Sequence, residues 1–553
     1  MDHSLAHEAR KDYPNTVGKL AMNGDSNNPS APGPVPGTSP RVGILLLALV
    51  GIFLWRWFFS AWVNLIPDEC SYWTWSRRLD WSYFDNSGMV AYLIRLSTWL
   101  FGEQTPWSVR FPFLVLSGVS TYLIYRVSVI LFQDPSRALV AAVVFNLAPV
   151  GLLGGSSAVH DNALIFFWLL ALWAGCRFLR EGEGRWFYVM GAAAGLAIQS
   201  KYTGVLIVPC LLVFLLWCKD HRGRLFTREP WIGVLIALGC ALPILWWNFK
   251  HDWASLYHVL YIGSGSPSLS RRIFDGLGYH IAQFVLVSPL FYCAMLAAAG
   301  SAVARRLFKV DPAYTLLLSF GLPLGLFGVM AFRGHVEANW GLMGYASILI
   351  LAVQVVYDAR SKGNPGLWRL FSPRFFRRAI VLAVGTALLV VIHGWLGILP
   401  AGIEKRIAKT DRIIWETRGW DGLGNYVGSL KEEGDVIAAD SYQLCAVLEF
   451  NVPGNPSVRY LAPWKRPTQF DVWEPSFDNL TGRNILLVSS VQLRPSTPVL
   501  TTIYENFGQV EPLPSYKFMY HGVAIREMYV YRCHDFNPSS PRRLAPRTLF
   551  YSE

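Results

Sequence analysis

The sequence predicts an all-α polytopic membrane protein that carries a small α/β domain towards its C-terminal end. Its 553 residues are 53% hydrophobic and only 16% charged, whereas soluble domains average about 25% charged residues. Apolar runs recur along the first 400 residues, and many approach or exceed the roughly 17–20 residues that a helix needs to cross a bilayer. After about residue 401 the apolar stretches become short and turn residues become frequent, which indicates a change of fold.

Eleven apolar runs are the candidate membrane helices, and with an error of about two on that count we expect about 11–13 transmembrane helices. The runs lie at 42–63, 110–132, 138–156, 161–179, 187–200, 203–218, 231–248, 278–304, 312–331, 339–357 and 378–400. The first run is too long for a cleavable signal peptide. It contains Arg56 near its outer end, and this side chain either snorkels to the interface or reaches an internal cavity. Residues 1–41 are polar and rich in Pro, Gly, Ser and Asn, as in a disordered cytoplasmic tail.

The basic residues predict how the chain is oriented. With the N-terminus in the cytoplasm, four basic loops fall on the cytoplasmic side, as the positive-inside rule requires. They contain Arg177, Arg180 and Arg185; Lys219, Arg222, Arg224 and Arg228; Arg305, Arg306 and Lys309; and Arg360, Lys362, Arg369, Arg374, Arg377 and Arg378. The net charge of +12 therefore mainly sets orientation, and it does not indicate nucleic-acid binding.

Three regions follow from this topology. Residues 42–400 form a transmembrane domain whose outer loop, 64–109, predicts two interfacial helices, one around residues 72–75 and one over 91–100. Residues 401–535 form an extracytoplasmic α/β domain, with strands at 436–439, 458–461, 485–488 and 528–531 and a helix at 441–450. Cys445 and Cys533 could form a disulfide there if the compartment is oxidising. A polar tail occupies 536–553.

The stretch Pro67-Asp68-Glu69 stands directly beyond the first apolar run, where a membrane helix would emerge into water. An acid at this position costs several kcal/mol to bury unless it has a partner or a task. The two carboxylates could instead cap a short interfacial helix. The residues by themselves leave both interpretations open.

The other polar residues that interrupt the apolar pattern share the outer side with this stretch. The set is Asp68, Glu69, Asp85, His160, Asp161, Lys201, Tyr202, Arg271, Arg272, Arg333, His335, Glu337, Asn339 and Trp340. Random polar positions would be divided between the two sides, so we expect a wet cavity at the outer membrane boundary. A carboxylate can act there as a general base, and Lys or Arg can stabilise the charge of a departing phosphate. The sequence thus predicts group transfer from a lipid phosphate.

Several motifs, in this order along the chain, resemble the GT-C glycosyltransferases. The bacterial branch related to protein O-mannosyltransferases and lipid A aminoarabinose transferases is the most similar. The motifs are Pro67-Asp68-Glu69, Leu79-Asp80-Trp81-Ser82-Tyr83-Phe84-Asp85, Ala158-Val159-His160-Asp161-Asn162-Ala163, Ser200-Lys201-Tyr202-Thr203, His251-Asp252-Trp253, Glu337-Ala338-Asn339-Trp340, Asp440-Ser441-Tyr442-Gln443-Leu444 and Gln469-Phe470-Asp471-Val472-Trp473. The resemblance covers about residues 42–535 and implies the GT-C fold.

The resemblance also implies roles for particular residues. Asp68 would be the catalytic base, with Glu69 assisting it or serving a structural role, and Asp161 would be the second acid, orienting the acceptor. Binding of the donor's phosphate and sugar would fall to Asp85, Lys201, Tyr202, Arg271, Arg272, Arg333, His335, Glu337 and Asn339. For the cations the alternative is snorkelling at helix ends, and for Asp161 it is a helix cap. Members of the family often have His-Pro-Pro where this chain has Asn86-Ser87-Gly88, which weakens the assignment of donor-phosphate contacts there.

The predicted function is therefore transfer of a sugar from a polyprenyl-phosphate donor to a lipid or glycan acceptor, with inversion, at the outer face of a bacterial inner membrane. A protein O-mannosyltransferase, which accepts on Ser or Thr, is the enzymatic alternative. A transporter is a weaker one, because the inner halves of the helices are apolar. No cofactor is expected to be required, although a divalent cation between Asp68 and Asp161 is possible, since hard cations favour carboxylates. The expected partners are the donor, the acceptor and membrane lipids.

Overall fold

The computed structural model of the protein describes residues 40–262, 268–361, 373–396, 398, 403, 412–461, 467–474, 476–493 and 506–537. The predicted tails, 1–41 and 536–553, lie outside the described residues except at their inner ends. Lys362 and Arg369 of the predicted basic cluster lie outside them as well. Within these ranges a large bundle of helices is followed by a mixed β-sheet with helices packed against it.

Each of the eleven apolar runs corresponds to one or two helices. The helices of this part of the chain are α1 Pro40–Trp62, α2 Pro67–Arg77, α3 Met89–Phe101, α4 Pro106–Phe132, α5 Pro135–Leu147, α6 Pro149–Gly154, α7 His160–Glu181, α8 Trp186–Ser200, α9 Ile207–Trp217, α10 Arg228–Lys250, α11 Ala254–Ile262, α12 Leu269–Val287, α13 Pro289–Ala304, α14 Pro312–Met330, α15 Leu342–Ser361 and α16 Pro373–Leu396. The two predicted interfacial helices of the outer loop are α2 and α3.

Far fewer helices than expected are long and apolar enough to cross a membrane on their own. In the described residues there are five, in α1, α4, α7, α10 and α14, or up to six if the bent pair α12–α13 is one span. The count of 11–13 is therefore not met by this criterion. One reason is that the chain breaks inside several runs. Proline disfavours helical geometry in the residue before it, and both Ala148 and Ser288 precede a proline and have non-helical backbone angles. The break at Ala148 separates α5 from α6. The break at Ser288 separates α12 from α13, which meet at 111°.

The C-terminal region is built on a five-stranded sheet. Its strands are β1 Val436–Ala439, β2 Arg459–Tyr460, β3 Ile485–Ser489, β4 Phe507–Tyr520 and β5 Val523–Phe536, in the order β2-β1-β3-β5-β4. β1 runs parallel to β2 and β3, whereas β5 pairs antiparallel with β3 and β4. The helices of this region are α17 Arg412–Thr417, α18 Trp420–Leu430, α19 Tyr442–Asn451 and α20 Gln469–Trp473. The four predicted strands and the predicted helix at 441–450 are confirmed.

The edge strand β4 was not predicted from the sequence. It carries Pro512 and Pro514, which cannot donate to a β-ladder and are tolerated only at an edge. The partner that holds β4 in place is β5, through a tight turn in which His521 and Gly522 both have positive φ. The predicted disulfide is wrong, since Cys445 and Cys533 are both unpaired thiols.

The C-terminal region packs directly on the outer loop of the helical part. The two share a hydrophobic core in which Trp73 of α2 meets Phe450 of α19 edge-on, with ring centroids 5.0 Å apart. Arg78, just after α2, forms an ion pair with the buried Glu449 at 3.4 Å. Burial raises the pKa of Glu449, and the nearby Arg78 cation opposes that shift. Helix α2 is therefore held between the membrane bundle and the sheet domain.

A buried ion pair between Glu69 and Arg110 joins four segments at the end of the bundle that contacts the C-terminal region. Nε of Arg110 donates to Oε1 of Glu69 at 2.8 Å, and an Nη of the same guanidinium donates to Oε2. Arg110 also donates to the carbonyls of Val63 at 2.6 Å and Asn64 at 2.9 Å, which follow α1. Glu69 accepts in addition from the amide of Ala158 at 2.8 Å, in the turn before α7. The pair thus ties α1, α2, α4 and that turn together.

We expect Arg110→Met to destabilise the protein by about 3–5 kcal/mol, because it leaves the Glu69 carboxylate buried without its cation. Thermal unfolding of the purified protein in detergent, followed at several scan rates, measures the effect. Arg185→Met is the matched control, since Arg185 is 62% exposed and pairs with Glu183 at the surface, where such pairs contribute only about 0–1 kcal/mol. Equal unfolding midpoints for the two variants would contradict the structural role assigned to the buried pair.

Candidate active site

A cavity of about 550 Å³ lies among α1, α2, α4, α7, α12, α13 and α15. One part of its wall is polar and includes Asp68, Asp161, Lys201, Glu337 and Asn339. Another part is apolar and is formed by Leu286 and Val287 of α12, Phe291 and Met295 of α13, and Leu349 of α15. The cavity therefore offers a site for polar chemistry beside a surface that suits an apolar chain.

Asp68 lies in the first turn of α2 and lines the cavity. The chain enters α2 through Pro67, whose fixed φ suits the first helical position. Oδ1 of Asp68 accepts a hydrogen bond of 2.9 Å from Nε2 of Gln443, which α19 of the C-terminal region supplies. Gln443 is 375 positions away in the chain, and sequence reasoning did not single out this contact.

Asp161, Lys201 and Asn339 form a connected polar group on the cavity wall. Nζ of Lys201 donates to Oδ1 of Asp161 at 2.8 Å, and Nδ2 of Asn339 donates to Oδ2 at 2.8 Å. The two charged side chains are only 12% and 13% exposed. Three residues that the sequence places in separate outer turns are thus brought into direct contact, and both oxygens of Asp161 are engaged.

Tyr72 and His160 lie between the two acids. Burial raises the pKa of Tyr72 well above its usual value, and the nearby Asp68 carboxylate raises it further, as Asp161 and Asp85 also do, so the phenol stays protonated. Its ring meets the edge of the His160 imidazole with centroids 4.5 Å apart. Nδ1 of His160 donates to the carbonyl of Ser200 at 2.9 Å, whereas Nε2 has no hydrogen-bond partner among the described residues.

Glu69 points away from this group. Its carboxylate is fully buried in the ion pair with Arg110, and it does not line the cavity in the part of the chain that the structure describes. All of its contacts serve to hold segments together. This environment favours the structural alternative for Glu69 over direct assistance in catalysis.

Asp85 and Tyr202 lie beside the cavity and hold neighbouring segments together. Oδ1 of Asp85 is 3.6 Å from Nε2 of His258 on α11. The hydroxyl of Tyr202 is 2.6 Å from Oγ of Ser255 and 3.4 Å from Oγ of Ser82. These contacts join the outer loop, the end of α8 and α11.

The arginines assigned to the donor phosphate are not brought to the cavity wall. Arg271 is 61% exposed and pairs with Asp275 one turn later on α12, at 2.9 Å. Arg272 is half-buried on the same helix, and Arg333 is exposed after α14. None of the three lines the cavity among the described residues. Glu337 does line it, but it is 60% exposed and pairs with His335 at 2.9 Å.

Arg56, whose place the sequence left open, reaches the cavity. It lies on α1 about 9 Å below the end of the helix, six residues at about 1.5 Å each. Its side chain is 3% exposed and lines the cavity wall. One Nη donates to Oγ of Ser117 on α4 at 2.6 Å, and the other donates to the carbonyl of Gly151 on α6. Snorkelling to the interface is therefore excluded in this structure.

The described residues contain no group of three or more His, Cys, Asp or Glu side chains that could hold a metal ion. A cation between Asp68 and Asp161 would have to compete with Lys201 and Asn339 for the oxygens of Asp161. The donor set therefore fits an ion pair better than a metal centre. Whether a metal is required stays a prediction.

Comparison with known proteins gives a consistent result. Residues 85–247 match the family described as dolichyl-phosphate-mannose-protein mannosyltransferase. The chain is 30% identical to lipid A galacturonosyltransferase RgtD of Rhizobium johnstonii, over 59% of this chain and 67% of that protein. It is 27% identical to an undecaprenyl phosphate-alpha-4-amino-4-deoxy-L-arabinose arabinosyl transferase of Pseudomonas fluorescens, over 48% of this chain and 51% of that protein. The match thus spans only about half the length of the second relative.

The fold is similar to that of a solved structure, ArnT from Cupriavidus metallidurans bound to undecaprenyl phosphate. The TM-score is 0.59 at 15% sequence identity, and the similarity covers 88% of this chain and 98% of that one. The apo form of the same protein gives a TM-score of 0.57. At this identity the likeness concerns the fold alone.

The contact between Gln443 and Asp68 leads to a prediction for the transfer activity that the resemblance implies. Gln443→Leu removes the amide donor, and we expect kcat to fall about ten- to a hundredfold, since a hydrogen bond to a charged group contributes about 1.5–3 kcal/mol. The KM for the donor should change little. Gln509→Leu, on the exposed face of β4, is the matched control. An unchanged kcat and pH–rate profile for Gln443→Leu would show that the contact does not orient Asp68 for reaction.

Proposed function

The chain belongs to the GT-C superfamily of integral membrane glycosyltransferases that use lipid-linked sugars, and on this basis we propose that it transfers a glycosyl group from a polyprenyl-phosphate donor to a lipid acceptor. The single observation that carries the proposal is the position of Asp68. This carboxylate lines a cavity whose other walls are a buried acid–lysine pair and an apolar surface. The relatives named above support this choice of substrates: one is a lipid A galacturonosyltransferase, which favours a lipid acceptor, and the other is named for an amino sugar linked to undecaprenyl phosphate, which favours the polyprenyl-phosphate donor.

The apolar wall suits the lipid part of the donor. Side chains of α12, α13 and α15 form it, and the α12–α13 pair bends by 111° at this point. A polyprenyl chain can lie along such a surface while its phosphate and sugar reach the polar wall. We place this end of the cavity at the outer face of a bacterial inner membrane, with the C-terminal region on the same side, because the basic loops lie at the other end of the helices.

In the proposed reaction, Asp68 removes the proton of an acceptor hydroxyl. The oxygen then attacks the anomeric carbon in line with the bond to the phosphate. The new carbon–oxygen bond forms as the bond to the phosphate oxygen breaks, so the configuration inverts and polyprenyl phosphate leaves. Asp68 finishes protonated and returns its proton to solvent. General base catalysis of this kind contributes about 10²–10⁴-fold to the rate.

Asp161 and Lys201 act as one unit in this proposal. The carboxylate holds the ammonium group on the cavity wall, where the cation can stabilise the charge that develops on the departing phosphate. Asn339 fixes the second oxygen of Asp161 and so keeps the pair in one orientation. Asp161 is therefore better suited to orienting groups than to accepting a proton.

The other residues implied by the resemblance stay proposals for donor binding. Arg271, Arg272 and Arg333 lie on α12 and on the segment after α14, and both elements also contribute to the cavity wall through Val287 and Glu337. A bound donor could recruit them, or His335, from the rim. Asp85 and Tyr202 would position the outer loop beside the sugar.

A protein acceptor is the second candidate, because residues 85–247 match the family of protein mannosyltransferases. The two candidates share the donor chemistry and the base. They differ in whether a lipid A hydroxyl or a Ser or Thr side chain delivers the nucleophile.

The test is transfer by purified protein from radiolabelled undecaprenyl-phosphate sugars, with lipid A and a Ser/Thr peptide offered separately. We expect lipid labelling, and a loss of about 10²–10⁴-fold in kcat for Asp68→Asn with donor binding retained, because the amide cannot accept the proton. Asp220→Asn, an exposed acid in the loop after α9, should keep full activity. Peptide labelling alone would favour the second candidate, and undiminished transfer by Asp68→Asn would remove Asp68 as the base.

A further inference from the structure

The guanidinium of Arg56 is a buried cation on the cavity wall that no carboxylate of the described residues neutralises. Its protein partners are neutral oxygens, the hydroxyl of Ser117 and the carbonyl of Gly151. Nε has no hydrogen-bond partner, and no carboxylate of the described residues pairs with the side chain. Burying an uncompensated charge at membrane depth is strongly unfavourable. The position therefore calls for an anion that is not part of the described protein.

In two other buried arginines of the same chain, neighbouring side chains compensate the positive charge. Arg110 is 1% exposed and forms a two-pronged ion pair with Glu69. Arg526, in the C-terminal region, lies 3.3 Å from the centre of the Trp420 ring and also lies over Trp415. Burial lowers the pKa of Arg526 to about 9. Among the described residues Arg56 has neither a carboxylate nor an aromatic face, which sets it apart from both.

The backbone around Arg56 is shaped to admit this side chain. At Gly155 an added Cβ would lie 2.4 Å from Cζ of Arg56, so a larger residue would displace the guanidinium. The carbonyl of Gly151, which accepts from one Nη of Arg56, lies in the last turn of α6 and also accepts from the amide of Gly155 at 3.1 Å. The guanidinium thus lies in a built position on the wall.

We propose that Arg56 binds an oxyanion of the glycosyl donor inside the cavity. This inference rests on the proposed function, because the donor is what brings an anion to this place. A planar guanidinium can bind a phosphate or a carboxylate through two parallel N–H donors. The Nε–H group of Arg56 has no acceptor among the described residues, so it is available for such a bond. The anion is either the phosphate that links sugar to lipid or a carboxylate on the transferred sugar, and both present the same pair of oxygens.

A purely structural role predicts different behaviour. If Arg56 only ties α1 to α4 and α6, its removal should lower stability and leave ligand binding unchanged in the folded fraction. If it awaits an anion, the empty protein carries an unpaired buried charge, and removing that charge should not lower the unfolding temperature. Ligand binding, in contrast, should suffer. A structural role therefore predicts a lower unfolding temperature with unchanged binding, whereas an anion-binding role predicts weaker binding without a lower unfolding temperature.

The experiment compares wild type, Arg56→Gln and Arg56→Lys as purified full-length proteins. Arg126→Gln is the matched control, because Arg126 lies on membrane helix α4, bonds Tyr122 and does not line the cavity. Binding of undecaprenyl phosphate, of a uronosyl donor and of a neutral hexosyl donor is followed by titration and by the ligand-induced shift of the unfolding midpoint. We expect Arg56→Gln to weaken binding at least tenfold without lowering the midpoint of the empty protein, and Arg56→Lys to restore part of the loss.

The three ligands separate the two sources of the anion. Weaker binding of undecaprenyl phosphate itself would identify the phosphate, and loss of affinity for the uronosyl donor alone would identify the sugar carboxylate. Unchanged affinity for all three in Arg56→Gln would overturn the inference while leaving the proposed function intact. If Arg56→Gln does not fold, Arg56→Lys becomes the test: unchanged affinity together with a lowered unfolding midpoint would overturn the inference, because that combination fits a purely structural role. A wild type that binds none of the three ligands would overturn the proposed function and this inference together.

Discussion

The buried ion pair between Glu69 and Arg110 is the interaction on which the geometry of the cavity depends. It lies where α1 ends, α2 begins and the turn before α7 passes, and it bonds all three. Of the two acids of the cavity wall, Asp68 directly precedes Glu69 in the chain, and Asp161 lies three residues after Ala158, whose amide bonds Glu69. Because a buried pair tolerates little movement, it holds the starts of α2 and α7 at a set spacing. Glu69, which looks catalytic from its position beside Asp68, thus serves to hold Asp68, the residue before it, in place.

The C-terminal region contributes directly to the candidate active site. Its helix α19 shares a hydrophobic core with α2, and Gln443 at the start of that helix bonds Asp68. Helix α19 follows the end of strand β1 directly, after the cap residue Ser441. Loops at the carboxyl ends of parallel strands are frequent places for functional side chains. Here the first turn of the helix that follows β1 provides the amide of Gln443 to the proposed base, across the boundary between the two regions.

The cations around the cavity differ more in their partners than in their positions. Lys201 is neutralised by Asp161, and Arg271 by Asp275 outside the wall. Arg56 has no such partner among the described residues and is also the most deeply buried of the three. An empty site that is made to bind an anion must keep a positive charge uncompensated, at a cost in stability. The missing partner is therefore what distinguishes Arg56 from Lys201 and Arg271 as a candidate for binding an anion.

The sequence by itself determined the class of fold, most helices, four of the five strands and the group of outer polar residues, because hydropathy and turn chemistry are local properties. It also predicted that Asp68, Asp161, Lys201, Glu337 and Asn339 lie on one side of the membrane, and the structure joins them in one cavity. Only the tertiary structure decided that Glu69 is a support, that Gln443 reaches Asp68 and that Arg56 enters the cavity. These roles depend on contacts between residues 41, 375 and 61 positions apart. No local pattern encodes such contacts, since the packing of whole helices and of the sheet domain brings the side chains together.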